Sequence, residues 1–394
     1  MCEGPHVEST RDIPADTFQL DAVAGAYWRG SEHNPMMTRI YGLAFESAAA
    51  LQDFLAKRAL ARERDHRKLG AELDLFVISD EIGKGLPLWL PNGTVLRDEL
   101  EALAREMEFR AGYERVATPH LAKGTLYERS GHLPYYKGSM FPPMQLEDET
   151  PYYLKPMNCP HHHILFAARP RSYRDLPLRL AELGTVYRNE RTGTLHGLLR
   201  VRGFTQDDAH IFCTPDQLLA EVDSCFEFAH ELLGAFGFSD YRVELSVHDP
   251  ANMGKYAGTE EEWERAEASL LAAIEKRGIP YHRMTGEAVF YGPKIDLKLI
   301  DAIGRGWQAT TIQFDFNLPR RFDVQYVNAE GQRAYVYMIH RALLGSLERF
   351  IGTLTEHYAG DFPLWLAPEQ VRVFPIGPGQ HEYVRSVVRR LVEG

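Results

Sequence analysis

Cysteine is scarce in this chain, and its sequence has no long apolar run and no targeting segment. The 394 residues include four cysteines, too few for a disulfide framework: Cys2, Cys159, Cys213 and Cys225. No stretch approaches the roughly 18 apolar residues of a membrane helix, and the opening residues lack the basic and apolar regions of a signal peptide. We therefore expect a cytoplasmic protein with no membrane partner, in which a reduced cysteine near histidines is a candidate metal ligand.

An excess of basic residues is also lacking, and so are the common nucleotide and hydrolase motifs. The formal net charge of −11 argues against a non-specific nucleic-acid coat, although it allows a local basic groove. The sequence contains no G-x-x-x-x-G-K-[ST] loop, no G-x-G-x-x-G fingerprint, no H-E-x-x-H helix and no G-x-S-x-G elbow. A nucleotide substrate would therefore have to be held by side chains.

Several helices have recognisable start signals. Periodicity predicts helices over 46–73 and over 95–111, the second opened by a turn at 91–93. A capping box at Thr214–Gln217 and another formed by Thr259 and Glu262 predict two further helices, the second ending at Gly278.

Strand-like segments lie between these helices. Residues 200–212, 288–300 and 307–316 are rich in β-branched and aromatic side chains. Strands separated by helices in this way predict an α+β fold around an antiparallel sheet. The segment FPLWLAPEQVRVFPIG, which begins at Phe362, predicts a linker followed by the first strand of another domain.

Two of the predicted strands have a polar face. Alternate residues of a strand share a face, and on one strand that face carries Phe204, Gln206, Asp208 and His210. A solvated surface would explain this pattern equally well, but Ile211 and Phe212 follow directly and indicate that the strand enters the core. Thr311, Gln313 and Asp315 repeat the pattern on a second strand. Together the two strands predict the floor of a polar pocket.

Longer motifs are specific enough to relate the chain to a known family. The segment GTVYRNERTGTLHGLLRVRGFTQDDAHIF at 184–212 resembles motif 2 of the class II aminoacyl-tRNA synthetases, and their threonyl branch in particular. AGYERVATP at 111–119 resembles motif 1, and HRALLGSLERF at 340–350 resembles motif 3. KPMNCP at 155–160, FYGPKID at 290–296 and WQATTIQFDF at 307–316 follow the same family order.

This resemblance implies a fold and a reaction. The family has a class II core, a seven-stranded antiparallel sheet flanked by helices. It activates L-threonine with ATP and Mg²⁺ to threonyl-adenylate and pyrophosphate, and then transfers threonine to tRNA(Thr). A homodimer formed through motif 1, with Pro119 in the interface, is also implied.

The resemblance assigns nucleotide-binding roles to individual residues. Arg188 matches the arginine on the α-phosphate, where it stabilises the charge that develops during attack. Arg349 matches the arginine on the γ-phosphate. Glu190 corresponds to the adenine reader, Arg200 to a phosphate contact and Phe204 to the ring that stacks on adenine. Gln308 and Thr311 map onto the same nucleotide pocket.

The resemblance also assigns a zinc site and a threonine site. Cys159, His210 and His340 match the ligands of one Zn²⁺ per subunit, and three protein ligands leave a position open. The family fills that position with the amino and hydroxyl groups of threonine, which valine cannot reproduce. The threonine pocket corresponds to Met157, Gln206, Asp208, Tyr291, Lys294, Gln313 and Ser346. Asp208 is expected to accept the hydroxyl proton, and His132 to assist transfer to tRNA.

The resemblance divides the chain into four parts. Residues 1–45 correspond to the end of an editing domain, with Cys2 and His6 as a remnant of its site. Residues 46–73 form a linker helix, 74–365 the catalytic domain and 366–394 the start of an α/β anticodon-binding domain. Both flanking domains are expected to be partial, so we expect adenylate formation with impaired selection of tRNA.

Three other interpretations remain open. A synthetase paralogue could bind an amino acid or tRNA for regulation, but it would be expected to have lost Arg188 or Arg349, and both are present. A prolyl- or seryl-type enzyme would not share the cysteine with two histidines. A structural zinc protein would close the fourth coordination position.

Overall fold

The computed structural model of the chain describes residues 6–147, 150–238, 241–300 and 306–393. These residues fall into two compact units, which divide between Arg64 and Asp65. The predicted domain boundaries at 45, 73 and 365 are not tested by this division and stay predictions.

The first unit is a hairpin followed by a helix. Strands β1 (Phe18–Tyr27) and β2 (Met36–Ala44) pair antiparallel, and α1 (Ala48–Glu63) follows them. Ser47 caps α1 by accepting a hydrogen bond from the Ala50 N–H at 3.1 Å, as a serine at this position commonly does. Both strands are largely exposed, since few of their apolar side chains are covered within the unit.

The second unit contains the remaining described strands and helices. The strands are β3 (Phe76–Val77), β4 (Leu88–Trp89), β5 (Glu114–Arg115), β6 (Leu121–Lys123), β7 (Tyr152–Leu154), β8 (Leu178–Tyr187), β9 (Gly203–Cys213), β10 (Tyr241–Val247), β11 (Tyr281–Thr285), β12 (Lys294–Ile300), β13 (Gly306–Asp315), β14 (Gln325–Val327), β15 (Arg333–Tyr335) and β16 (Tyr337–Ser346). The helices are α2 (His66–Glu72), α3 (Pro91–Arg110), α4 (Gly124–Arg129), α5 (His132–Tyr136), α6 (Cys159–Ala167), α7 (Leu218–Ala235), α8 (Glu260–Lys276), α9 (Leu318–Arg321), α10 (Leu347–Tyr358) and α11 (His381–Glu393).

The predicted α+β fold with a helix-flanked sheet is confirmed. Eight strands form the main sheet in the order β11-β10-β12-β13-β16-β9-β8-β5. The six central strands pair antiparallel, as expected. The two edge strands, β11 and β5, pair parallel with their neighbours, so the sheet is mixed and has one strand more than the seven implied by the resemblance.

Two helices cover one face of the central strands, so the polar residues of those strands lie on the other. Helices α7 and α10 pack on β16, and the buried apolar residues of both helices belong to one large core with Ile339 of β16 and Ile211 of β9. Alternation along β9 sends Ala209, Ile211 and Cys213 into this core. Asp208 and His210 therefore face the opposite side of the sheet, where the site lies.

The capping boxes are confirmed, and two helix predictions need correction. Thr214 pairs with Gln217, and Thr259 with Glu262, at the starts predicted for α7 and α8. Residues 91–93 are the first turn of α3 rather than a turn before it, because proline is favoured at the first helical position. The helix predicted over 46–73 is two helices, since Asp65 caps a new start by accepting the Arg67 N–H.

The prediction of a strand after Phe362 is wrong for the described residues. Residues 368–376 have no strand assignment, and Phe374 and Ile376 are 72% and 98% exposed. A β-branched run needs a pairing partner to become a strand, and none pairs with this run among the described residues. Within the same described ranges, no helix combines the length and apolarity needed to cross a bilayer.

Candidate active site

A row of polar side chains crosses four neighbouring strands of the main sheet. Lys294 on β12 pairs with Gln313 on β13, Gln313 pairs with His340 on β16, and His340 pairs with His210 on β9. Directly opposed residues in adjacent strands have Cβ atoms about 5 Å apart. The sheet register therefore gathers residues that are widely separated along the chain.

A second row runs parallel to the first, two residues further along each strand. Asp296 on β12 pairs with Thr311 on β13, and Asp208 on β9 pairs with Glu182 on β8. The Asp296 carboxylate accepts hydrogen bonds from Lys294 Nζ at 2.6 Å, Gln308 Nε2 at 2.7 Å and Thr311 Oγ1 at 2.8 Å. One buried carboxylate thus fixes three of the residues predicted to contact substrates.

A backbone irregularity near the end of β16 brings Ser346 into the same site. The register of β16 against β9 shifts between Ala342 and Ser346, so that Ser346 pairs with Gln206. Gly345 has φ +70, and a Cβ there would lie 2.7 Å from the Ala309 carbonyl oxygen. Glycine is therefore required at this position both for the backbone conformation and for the close approach of β13.

These rows form the floor of a pocket of about 290 Å³. The predicted site residues that line it are Met157, Cys159, Arg188, Phe204, Gln206, Asp208, His210, Tyr291, Lys294, Gln308, Thr311, Gln313, His340, Ser346 and Arg349. Residues that line it without having been predicted are Tyr136, Val289, Ala309, Arg341, Ala342 and Gly345.

Cys159, His210 and His340 come together in the lining of this pocket. Their sulfur and ring-nitrogen atoms all lie within 4.8 Å of one another, and all three residues are buried. Cys159 is the first residue of α6, whereas the two histidines belong to paired strands. A thiolate with two imidazoles is a donor set that suits Zn²⁺.

The hydrogen bonds around the two histidines determine which nitrogens face each other. His340 Nε2 is 3.0 Å from Asp315 Oδ2, so it donates to that carboxylate and leaves Nδ1 as a lone pair. His162 Nε2 likewise donates to Glu182 Oε2 at 3.1 Å. Its Nδ1 therefore accepts from His210 Nδ1 at 2.8 Å.

With both imidazoles neutral, His210 Nε2 and His340 Nδ1 face each other as lone pairs, 3.0 Å apart. Two lone pairs at this distance repel unless a cation lies between or beside them. The orientation that Glu182, through His162, and Asp315 impose is the one that metal-binding histidines adopt when their other ring nitrogen donates to a neighbour. The residues present therefore fit a metal ion.

Burial changes the protonation chemistry of the metal-ligand group. It raises the pKa of the Cys159 thiol well above its usual value, and the nearby Asp208 and Asp315 carboxylates act in the same direction. Burial also lowers the pKa of His210 well below its usual value, and the neighbouring His162 and His340 reinforce this. A metal ion that binds the thiolate would therefore release a proton from Cys159.

Two arginines, Arg188 and Arg349, also line the pocket. The guanidinium of Arg188 lies 4.9 Å from the centre of the Phe204 ring, and its Nε donates to the Pro156 carbonyl at 3.3 Å. Arg349 Nε donates to the Leu199 carbonyl at 3.0 Å. Burial lowers the pKa of Arg349, and the positive charges of Arg188 and Arg200 lower it further. Such crowding of like charges favours a polyanionic ligand.

Three predicted residues do not line the pocket. Glu190 and Arg200 form an ion pair at 2.9 Å, so each occupies the other in the structure described. His132 is completely buried behind the pocket wall.

The contacts of His132 lie on the sulfur side of the metal-ligand group. Its Nδ1 is 2.8 Å from Ser130 Oγ, and its Nε2 is 3.3 Å from Met157 Sδ and 4.0 Å from Cys159 Sγ. Burial lowers the pKa of His132 to about 3, with a further contribution from His340. The role of His132 in transfer to tRNA stays a prediction. Its ring is neutral near pH 7 and contacts the sulfur atoms of Met157 and Cys159 instead of lining the pocket.

One member of the predicted editing pair lies within the described residues. Cys2 lies outside the described residues, and His6 is exposed.

Four residues that support the site were not assigned roles from the sequence. Asn158 Nδ2 donates to Asp208 Oδ2 at 2.9 Å, while His162, Asp296 and Asp315 make the contacts given above. Asp296 and Asp315 carried a signal, because each alternates with a predicted pocket residue on its strand. His162 carried none that separated it from the histidines on either side.

Comparison with known families agrees with this geometry. The model of the tRNA synthetase class II core domain (G, H, P, S and T) matches residues 144–358. The model of the threonyl and alanyl tRNA synthetase second additional domain matches residues 1–41.

Individual relatives are similar over nearly the whole chain. A threonine–tRNA ligase of Deinococcus deserti is 53% identical over 387 residues, which is 98% of this chain and 59% of the relative. One of Chlorobium chlorochromatii is 52% identical over 396 residues, which is 100% of this chain and 60% of the relative. The chain thus spans about 60% of the length of the curated relatives it matches.

A solved structure is similar in fold as well as in sequence. The crystal structure described as the RNA binding domain of threonyl-tRNA synthetase from Cryptosporidium parvum superposes with a TM-score of 0.80 at 42% identity. That match covers 84% of this chain and 81% of the other.

Proposed function

Since the chain belongs to the family of class II tRNA synthetase core domains, we propose that it is the catalytic part of a threonine–tRNA ligase. It would join L-threonine to ATP, forming threonyl-adenylate and pyrophosphate, and pass the threonine to tRNA(Thr). Mg²⁺ would accompany ATP as the counter-ion of its phosphates.

One observation carries this proposal: a single pocket is lined both by a metal-ligand group and by two arginines. Cys159, His210 and His340 form the metal-ligand group. Arg188 and Arg349 supply positive charge to the same pocket. An amino acid with a hydroxyl group, which can meet a metal ion, and a nucleotide polyphosphate, which can meet the arginines, together match this lining.

Activation would depend on the arginines. The threonine carboxylate attacks the α-phosphorus of ATP, a P–O bond to that carboxylate forms, and the bond to pyrophosphate breaks. Arg188 would stabilise the negative charge that develops on the α-phosphate during this step. Arg349 would hold the γ-phosphate, and both guanidinium groups can form paired hydrogen bonds to phosphate oxygens.

The base of the nucleotide would lie near Phe204, whose flat ring can stack with adenine. Glu190 and Arg200 would separate on binding, so that Glu190 meets the adenine amino group and Arg200 a phosphate. Gln308 and Thr311, already held by Asp296, would complete the nucleotide side of the pocket.

Threonine would be recognised by the residues around the metal-ligand group. Zinc, when bound, would supply a Lewis acid with an open coordination position for the amino and hydroxyl groups of threonine. Asp208 would accept the hydroxyl proton. Burial raises the pKa of Asp208, which makes its carboxylate a stronger proton acceptor. The remaining contacts to threonine are proposed for Met157, Gln206, Tyr291, Lys294, Gln313 and Ser346.

Discrimination against valine follows from this arrangement. Valine has a methyl group where threonine has its hydroxyl, so Asp208 would face an apolar group in a buried site. A site built to bind a substrate hydroxyl rejects an analogue that lacks it by about 10⁴-fold or more. Serine retains the hydroxyl and is expected to be rejected far less strongly.

Further parts of the proposal concern the assembly and its surroundings. Motif 1 contains the edge strand β5 and closely follows the exposed Phe109 near the end of α3, which supports a homodimer through this region with Pro119 in the interface. The free thiols of Cys159, Cys213 and Cys225 fit a reducing compartment, and we propose the cytoplasm.

The proposed domains follow the same family. Residues 1–45 and 366–394 would belong to editing and anticodon-binding domains, and 46–73 would link to the catalytic domain at 74–365. His132 would assist transfer from behind Cys159 by positioning rather than by direct contact.

Amino-acid-dependent exchange between ATP and pyrophosphate tests the proposal. We expect exchange with threonine, weaker exchange with serine and essentially none with valine or proline. Metal analysis of the same preparation is expected to give one zinc per chain. Proline-dependent exchange, or threonine exchange that persists after complete removal of zinc, would contradict the proposed mechanism.

A variant provides the metal-site control. Cys159→Ala removes one ligand and is expected to lose both zinc and threonine exchange, whereas Cys213→Ala removes a buried thiol outside the pocket and should keep both. Loss of zinc from both variants would mean that unfolding, and not the ligand, controls metal content.

A further inference from the structure

His66 lies at the start of α2, outside the pocket, and connects α10, which bears the pocket residue Arg349, with the segment 196–200. It is completely buried. Its Nδ1 lies 2.7 Å from Glu356 Oε1 on α10, and its Nε2 lies 3.0 Å from the backbone nitrogen of Leu198. A histidine buried with both ring nitrogens engaged is a structural connector whose orientation is determined by its partners.

The partners of His66 permit one tautomer. The Leu198 N–H can only donate, so Nε2 must accept and carries no proton. Nδ1 therefore carries the proton and donates it to the Glu356 carboxylate. The ring thus bridges a carboxylate on α10 and an amide in the segment 196–200, which we call the arginine loop because it ends at Arg200.

The packing around His66 leaves little room for the arginine loop to move. Gly197 has φ +47, and a Cβ there would lie 2.1 Å from His66 Nε2 and 2.8 Å from Arg67 Cγ. Glycine is therefore needed at 197 so that the loop backbone can reach the imidazole. On the other side, Gly352 of α10 lies close to His66 Cδ2.

The arginine loop in turn holds Arg349. The Leu199 N–H and the Arg200 N–H both donate to the His196 carbonyl, at 2.9 and 3.2 Å. The Leu199 carbonyl accepts a hydrogen bond from Arg349 Nε at 3.0 Å. Arg349 and Glu356 both belong to α10, so the hydrogen bonds form a closed circuit from α10 through His66 and the loop back to α10.

A metal ion is a poor explanation for this group. Donor atoms of Asp65, His66 and Glu356 lie within 4.8 Å of one another. However, Arg67 donates to both Asp65 oxygens, at 2.6 and 2.9 Å. The Leu198 N–H occupies His66 Nε2, so the group has no free imidazole lone pair to offer a cation.

We propose that His66 is a positioning residue for ATP: by accepting the Leu198 N–H it sets the position of the Leu199 carbonyl and hence of the Arg349 guanidinium that meets the γ-phosphate. This rests on the proposed function, from which Arg349 takes its role. A displacement of a phosphate-binding group by about 1 Å can cost about 10²-fold in activity. Because Arg349 is assigned to ATP and not to threonine, loss of this positioning should weaken the binding of ATP and leave the binding of threonine unchanged.

Two substitutions separate the two hydrogen bonds of His66. His66→Asn places its amide N–H near the position of Nδ1 and can still donate to Glu356, but it offers nothing to Leu198. His66→Gln reaches the position of Nε2, where its amide oxygen can accept the Leu198 N–H. His282→Asn, at an exposed residue of β11, is the matched control for loss of an imidazole.

The measurement is equilibrium binding of MgATP to the full chain, together with the KM values for ATP and threonine in pyrophosphate exchange and the thermal unfolding midpoint. His66→Asn is expected to weaken MgATP binding about tenfold, with the KM for threonine within about twofold of wild type. His66→Gln is expected to recover most of the affinity, and His282→Asn to retain it.

The outcomes distinguish the two proposals. If His66→Asn lowers the unfolding midpoint but leaves MgATP affinity unchanged, His66 is merely structural and the inference fails. It also fails if a folded His66→Gln variant is as weak as His66→Asn. Wild-type chain that binds MgATP without threonine-dependent exchange would overturn the proposed function while leaving the role of His66 in ATP binding supported.

Discussion

His162 accepts a hydrogen bond from His210, with 2.8 Å between the two Nδ1 atoms. On its other side His162 donates to Glu182, whose carboxylate is also 3.4 Å from Lys155 Nζ. His162 lies three residues after Cys159, which is one proposed zinc ligand. Held by the buried Glu182 carboxylate on β8, His162 controls the orientation of another proposed ligand, His210.

Substitution of His162 should weaken metal binding without removing a ligand. His162→Ala frees His210 Nδ1–H from its acceptor, and loss of such a partner typically costs about 10- to 100-fold in metal affinity. Zinc affinity measured by competition with a chromophoric chelator would check this directly. His161→Ala is the matched control, because His161 is also buried on α6 but has no hydrogen-bond partner in the described structure. Equal zinc affinities for the two variants would contradict the role of His162.

Substitution of Arg188 should slow activation more than it weakens binding. Removal of a group that stabilises developing charge costs about 10²- to 10³-fold in kcat. Arg188→Lys should recover little, because an ammonium group cannot reproduce the paired geometry of a guanidinium. Steady-state pyrophosphate exchange measures the effect, with Arg191→Ala, at an exposed arginine in the following turn, as the control. A kcat for Arg188→Ala within tenfold of wild type would remove Arg188 from the proposed mechanism.

The Glu182 carboxylate should make acid stability depend on pH in a defined window. Burial alone would raise its pKa, but the hydrogen bond from His162, the charge of Lys155 and the Thr118 N–H outweigh burial and lower the pKa from 4.5 to about 2. A carboxyl group with a depressed folded-state pKa contributes stability above its unfolded pKa, and this contribution is lost as the pH falls through the folded value.

The stability that Glu182 contributes should therefore be complete above pH 4.5 and decline between about 4.5 and 2. The shift corresponds to about 3 kcal/mol of unfolding free energy. Urea denaturation of wild type and Glu182→Gln at several pH values would measure it as a difference that shrinks on acidification. Glu99→Gln, at an exposed carboxylate of α3, controls for the loss of one charge. A difference independent of pH would show that the pairing does not act through ionisation.

Arg341 should be a strong determinant of stability although it neighbours a proposed ligand. Its guanidinium is completely buried, donates to Glu108 Oε1 at 3.0 Å and lies 4.4 Å from the centre of the Tyr113 ring. Arg341→Leu leaves the Glu108 carboxylate buried without its cation, which should cost about 3–5 kcal/mol of unfolding free energy.

Chemical denaturation measures this cost. Arg105→Leu is the control, since Arg105 pairs with Glu101 at the surface and its removal should cost less than about 1 kcal/mol. If the two substitutions destabilise the protein equally, the buried pair between α3 and β16 has no special energetic role.

Much of the fold could be predicted because its signals are local. Capping boxes at Thr214 and Thr259 are defined within four residues, and strand alternation in β9 separates core from pocket. The failures have a common cause. The break at Asp65 within 46–73 depends on one side chain capping its own backbone. Residues 371–376 have strand propensity, but no strand among the described residues pairs with them.

The candidate site was predicted in part for the same reason. Residues within motifs could be assigned by resemblance, and most of them line one pocket. A buried group such as His162 could not be recognised, because its role depends on contacts with residues far away in the chain. Asp296 carried only the signal of strand alternation, which places it on the pocket face without showing what it contacts. The mutual pairing of Glu190 and Arg200 could not be read from their separate positions either.

Local sequence patterns establish which residues can do the chemistry: the thiol, imidazoles, carboxylates and guanidinium groups, together with the helix starts and the alternation that puts them on one face of each strand. Which of these residues meet depends on the folded arrangement of the strands and helices. His210 and His340 become neighbours because β9 and β16 pair in one register, and Cys159 joins them because α6 packs against that face. Register and packing are long-range and cooperative, since each contact depends on the others being formed, whereas capping and alternation act over a few residues.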